Sequence, residues 1–214
     1  SNAALPELAS QAATLAKCDL LTDMVGEFPE LQGVMGGYYA RHDGLGDELA
    51  LAIEDHYRPR FAGDDLPRND VGLVVALADK LETLVGMFGI GNVPTGERDP
   101  FALRRHALGV TRMLIEADVP LALADLIAQA QSVFGSLLSA DLAPLASFVQ
   151  DRMAGMLRDQ GFSAQAIDAV LALNPSLLAD VPKRLQAVRT FADMTESEAL
   201  AAANKRIGNI LKKS

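Results

Sequence analysis

The residues from 71 to 88 constrain this chain most. Leu73, Ala76, Leu77, Leu81, Leu84, Val85 and Phe88 recur at three- and four-residue steps, which is the spacing of one face of an α-helix. One acid and one base, Asp79 and Lys80, sit in the middle of this apolar run. A Gly/Pro-rich loop follows from Gly89 to Gly96. Asp99-Pro100 then reads as an N-cap with proline at the first helical position, opening a second helix that carries Arg104 and Arg105. The pattern suits a functional site, with an acid on a buried helix, a constrained loop and paired arginines. It equally suits a core helix, a turn and a solvated amphipathic helix.

The rest of the chain repeats the helical period. Only 5% of the residues are aromatic and none is Trp, although half are apolar, so the core must be built from Leu, Ala, Val and Met. Strands favour aromatic and β-branched residues, and this composition therefore predicts helices rather than a sandwich or barrel. The spacing predicts a helix from Leu5 to about Val25, which would put Asp19 and Asp23 on one face, and another from Phe28-Pro29 to Ala40. The glycines at 33, 36 and 37 weaken a free helix, so close helix–helix approach is expected there. Helices are predicted over Asp47–His56 and from Asn69 or Asp70 onward, the next one continuing through Met113 and Ile115. Val119-Pro120 marks a boundary. Further helices follow at 121–134, 142–157, 163–172, 182–194 and 196–211, with Ser163 as an N-cap and a capping-box pattern at Thr195-Glu196-Ser197-Glu198. Short connections and the lack of any βαβ alternation predict an all-α, antiparallel array.

Ser1-Asn2-Ala3 reads as a scar of tag cleavage and is left out of the fold argument. No apolar run reaches the roughly 18 residues of a membrane span. The single cysteine, Cys18, excludes an internal disulfide framework, fits a reducing compartment and is expected to fill core space. The net charge of −9 opposes indiscriminate nucleic-acid binding, but residues 183 to 213 hold 7 Lys or Arg against 3 Asp or Glu. The histidines have no Ser or Cys in a nucleophile-elbow context, and no P-loop or dinucleotide glycine motif is present. A helical metal site through Asp23, His56 and Asp79 remains open on residue type, as does a structural role for each.

Residues 16–33, AKCDLLTDMVGEFPELQG, closely resemble the segment AKADLLTEMVGEFPELQG of the bacterial glycyl-tRNA synthetase β subunit. The similarity continues through Tyr38-Tyr39-Ala40, Asp79-Lys80-Leu81, Pro94-Thr95-Gly96, Asp99-Pro100-Phe101-Ala102-Leu103-Arg104-Arg105 and Ala202-Ala203-Asn204-Lys205-Arg206-Ile207. The resemblance implies part of a longer subunit. Residues 4–116 would be an HD-like helical domain. Residues 117–214 would be a helical linker or body region before an anticodon-binding domain.

Where a working HD phosphohydrolase carries His-Asp, this sequence has Thr22-Asp23, and Asp79 matches the last acid of that pattern. Thr22, Asp23, His56 and Asp79 are therefore read as degenerate motif positions. The resemblance implies no catalytic residue and no bound metal in this chain, with Asp79 serving structure through Lys or Arg neighbours. ATP and Mg2+ would be used by the whole synthetase. Glycine tRNA and the α subunit, in an α2β2 assembly, are the implied partners, in the cytoplasm and without a membrane. Candidate tRNA contacts are Arg104 and Arg105, where a helix N-terminus would also favour phosphate, then Lys205, Arg206, Lys212 and Lys213. An HD-type phosphohydrolase and a purely structural helical scaffold are the alternatives.

Overall fold

The computed structural model describes residues 4–211, without the side chains of 198, 205, 208, 209 and 211. Lys212 and Lys213 lie outside the described residues, as does the side chain of Lys205. Among the described residues the fold is all-α: eleven helices and no strand. No described helix is long and apolar enough to cross a membrane.

The first helix, α1 (Leu5–Leu15), ends well short of Val25. A 3-10 turn at Cys18–Leu21 follows, Thr22 is extended, and α2 spans Asp23–Glu27. The cause is Asp19, whose buried carboxylate accepts the Gly33 N–H at 2.6 Å and the Gly36 N–H at 3.2 Å. Thr22 fixes the corner: its hydroxyl donates to the Asp19 carbonyl at 2.7 Å, and its side chain caps α2. Asp19 and Asp23 thus sit on separate elements, one buried and one exposed, and share no face. Cys18 is exposed rather than core filler, because the turn points it outward.

The helix expected from Phe28 to Ala40 is also divided. Pro29–Leu31 forms a 3-10 turn, Gly33 takes the left-handed backbone at φ 81°, and α3 covers Val34–His42. The close approach predicted from the glycines is present against α4 (Asp47–Asp55). A Cβ on Gly36 would lie 2.8 Å from Ile53 Cγ2, and one on Gly37 would lie 3.1 Å from the Ala50 carbonyl oxygen. Gly36→Ala is expected to cost about 1–3 kcal/mol through overpacking. An unchanged urea midpoint would show that α3 can withdraw from α4 freely.

Helix α5 (Asp70–Gly89) is the axis of the molecule, and its predicted start is correct: the Asn69 side chain accepts the Gly72 N–H at 2.7 Å. Its first turns, with Val71 and Val75, join Ala12 and Ala16 and the α4 residues Leu49 and Ile53 in a small core. From Ala76 onward it enters a larger core with α6 (Leu103–Glu116), α7 (Leu123–Phe134) and α8 (Ala143–Asp159). Leu84, Val85 and Phe88 meet Val110, Met113, Leu145 and Val149 in this core. Each such buried side chain contributes roughly 1.5–3 kcal/mol of transfer free energy. The core continues through α9 (Ala164–Leu171) and α10 (Asp180–Ala192) by way of Ile167, Val181 and Leu185. It therefore crosses residues 116 and 117 without interruption.

Helix α6 starts three residues later than Asp99-Pro100 suggested. Asp99 does cap it, but from four residues upstream, accepting the Leu103 N–H at 2.7 Å and the Arg104 N–H at 3.0 Å. Pro100 lies in the intervening turn, and Ala102 at the cap is left-handed. Ser163 caps α9 as expected, accepting the Ala166 N–H at 3.3 Å. The box expected before α11 (Ser197–Leu211) needs Glu198, whose side chain lies outside the described residues; the Thr195 hydroxyl donates to the Glu196 carboxylate at 3.0 Å.

Candidate functional site

The four degenerate motif positions separate into two groups. Thr22 is used as a cap and Asp23 is exposed on α2. His56 and Asp79 do face a common hollow, with Lys17, Cys18 and Glu82 beside them. His56 is fully buried at the end of α4, where its Nδ1–H donates to the Ile53 carbonyl at 2.6 Å. Burial lowers its pKa and favours the neutral ring. Asp79 is paired with Lys17 at 2.5 Å. Among the described residues no three His, Cys, Asp or Glu side chains are grouped to hold a metal ion. The trio Asp23, His56 and Asp79 is not assembled as a donor set, because the corner at Thr22 carries Asp23 to the surface.

Cationic side chains converge on two clefts along α6. The first, about 500 Å³, is lined by Arg60, Lys80, Arg105 and His106 with Gln32 and Tyr57, and Glu30 lies exposed on its edge. The second, about 540 Å³, takes in Arg104, Arg105, Arg112, Arg152 and Arg158 together with Glu116, Asp151 and Asp159. Arg105 lines both. In a chain of net charge −9, this is a local reversal of sign.

The fold builds the first cleft deliberately around Lys80, which is only 3% exposed. Its stem crosses α6 at Gly109, where a Cβ would stand 2.7 Å from Lys80 Cε, so only glycine leaves room for it. The ammonium donates to the Tyr57 carbonyl at 3.0 Å, and among the described residues no carboxylate lies within ion-pair distance of it. Burial therefore pulls its pKa down from 10.5 to about 8. His106 is likewise pushed down by burial, and its Nδ1 is buried without a hydrogen-bond partner.

The opposite wall, residues 57–60, is anchored by acids. Buried Asp55 accepts two bonds from the Arg68 guanidinium, each 2.8 Å, and the Arg68 N–H at 2.9 Å, while Arg58 approaches at 3.1 Å. Donating these bonds to the Asp55 carboxylate raises the Arg68 pKa above its ordinary value. Asp64 accepts from Arg60 at 3.1 Å, and Arg112 on α6 donates to the Asp64 carbonyl at 2.6 Å, clipping this segment to α6.

Of the sequence candidates, Arg104 and Arg105 fall in this region but behave differently. The Arg104 guanidinium donates to the Gly96 carbonyl at 2.5 Å and pins the loop. Arg105 is exposed, and its guanidinium has no hydrogen-bond or ion-pair partner among the described residues. The phosphate site expected at the α6 N-terminus is already filled by Asp99, which takes two of its free N–H groups. Arg206 is exposed on α11 and lines neither cleft. Sequence reading missed Arg60, His106, Arg112, Arg152 and Arg158. Lys80 had a signal, a base inside an apolar helical run; the others come together only through folding.

A sequence model described as the glycyl-tRNA synthetase beta subunit matches residues 2–172. The chain is 68% identical over 212 residues to the glycine–tRNA ligase beta subunit of Leptothrix cholodnii, covering 99% of this chain and 30% of that protein. It is 67% identical over 210 residues to the counterpart from Polaromonas naphthalenivorans, covering 98% and 30%. With that of Dechloromonas aromatica it shares 67% over 207 residues, covering 96% and 29%. The chain spans about three tenths of the length of the curated relatives it matches. On a family match over residues 2–172, this chain belongs to the glycyl-tRNA synthetase beta subunit family.

Proposed function

We propose that this chain is the part of a glycyl-tRNA synthetase β subunit that helps hold glycine tRNA, and that it is not itself catalytic. In this reading an α subunit, in an α2β2 assembly in the cytoplasm, attaches glycine with ATP and Mg2+. The supporting observation is the cationic band along α6, with Arg105 unpaired between two clefts in an acidic protein. RNA helices are bound largely through phosphate and 2′-OH contacts, which such a local band suits despite the overall charge. HD-type hydrolysis has no comparable support, because Asp23 does not join His56 and Asp79 at their hollow.

The test is fluorescence anisotropy of labelled glycine tRNA against this chain at several salt concentrations. Arg105→Ala is expected to weaken binding and to lower the salt slope by about one, the signature of one lost phosphate contact. Arg104→Ala should act mainly through the 89–96 loop, because its guanidinium is engaged by Gly96. Binding that is unaffected by Arg105→Ala would remove α6 from the RNA surface and favour the scaffold role.

A further inference from the structure

We infer that the first cleft is a discrete binding site for a phosphate group, centred on Lys80, Arg105 and His106. Three features of the cleft support this independently of the tRNA reading. Lys80 is almost wholly buried, yet it lines the cleft, and among the described residues its ammonium makes one hydrogen bond, to the Tyr57 carbonyl. The nearest carboxylate along the chain, Asp79, is already taken by Lys17. A buried ammonium without a counter-ion is costly, and an anion in the cleft is the group that would offset it.

The second feature is convergence. Arg105 brings a guanidinium with no partner among the described residues, and Arg60 lines the same cleft with its Nε committed to Asp64, leaving its terminal nitrogens to donate. His106, which also lines the cleft, has a buried Nδ1 with no partner among the described residues. These come from three separate stretches: the 57–60 segment, α5 and α6. The third feature is provision of space. Gly109 admits the lysine stem, and Asp55 and Arg112 hold the 57–68 segment in place as the far wall.

Guanidinium and ammonium donors in this arrangement match the tetrahedral oxygens of phosphate, arginine in a two-pronged way and lysine as a point charge. Glu30 is the only carboxylate among the lining residues, and it is exposed at the edge. The opening, about 500 Å³, leaves room for whatever the phosphate is attached to. The phosphate could belong to a free nucleotide or to an RNA strand, and the experiment separates these sources.

Inorganic phosphate and adenosine monophosphate would be titrated into the chain in phosphate-free buffer, followed by calorimetry and by amide chemical shifts. Saturable binding is expected, with shifts confined to residues near 57–60, 80 and 105–109. Arg105→Gln, a change at an exposed side chain, should weaken it about tenfold, the loss of one charge-assisted bond. Lys80→Met should weaken it at least as much. No saturable phosphate binding, or equal affinity in both variants, would overturn the site. Phosphate that binds and displaces glycine tRNA assigns the cleft to RNA phosphate. Phosphate or nucleotide that binds a chain unable to hold tRNA, or binds without displacing it, assigns the cleft to a free phosphate ligand. Tight tRNA binding by a chain that shows no saturable phosphate binding would leave the RNA reading standing and sink this one.

Discussion

Asp55→Ala should destabilise the fold by about 3–5 kcal/mol, because it breaks a buried ion pair from one side only. The carboxylate is fully buried and holds both Arg68 and Arg58. Without it the Arg68 guanidinium keeps only Glu54, at 2.8 Å, and its backbone N–H loses its acceptor. The loss reaches the first cleft, since Arg58 belongs to the 57–60 wall and Arg68 immediately precedes the Asn69 cap of α5. Urea denaturation measures the cost. Hydrogen exchange should show residues 56–68 opening before α5. Glu54→Ala should cost far less, because that acid is only a secondary partner of Arg68. A loss below about 1 kcal/mol in Asp55→Ala would mean that the arginines find water or other acids without strain.

Lys80→Met should act in the opposite direction and make the protein more stable at neutral pH. The folded pKa is about 8 against 10.5 for a free lysine, so the folded state disfavours the ammonium. Below about pH 8 both states are protonated and the whole penalty, about 3 kcal/mol for a shift of this size, is present. Between about pH 8 and 10.5 the unfolded chain holds a proton that the folded chain has released, so wild-type stability rises with pH across that window. Methionine fills a similar volume without a charge but leaves the Tyr57 carbonyl without its donor, which costs about 1 kcal/mol. The expected net gain is about 2 kcal/mol at pH 7, shrinking to nothing or reversing by the alkaline end of the window. Denaturation at several pH values, in phosphate-free buffer, checks both size and sign. A difference that does not change with pH would show that the ammonium is solvated in the folded state. A residue that lowers stability while facing a cationic cleft is more economically explained by binding than by packing.

The periodic segments were legible because helical spacing is a local property. Asn69 as the cap of α5, Ser163 as the cap of α9, and the core face of α5 follow from residues a few positions apart. Where the sequence misled, the missing information was long-range. Asp19 breaks the first helix because it reaches backbone N–H groups at Gly33 and Gly36, fourteen and seventeen residues away. Asp99 likewise caps from a turn rather than from the adjacent position, a geometry that the Asp-Pro pair alone does not specify.

By itself, then, the sequence determined the helical class, most element positions and, through its long similarity, the family. These depend on near neighbours and on residue identity in order. The burial of Lys80 under Gly109, the Asp55 clamp and the meeting of Arg60, Arg105 and His106 were decided only by the tertiary structure. A cationic cleft is made when distant residues are packed within a few ångströms of each other, and charge counted along the chain averages that local reversal away.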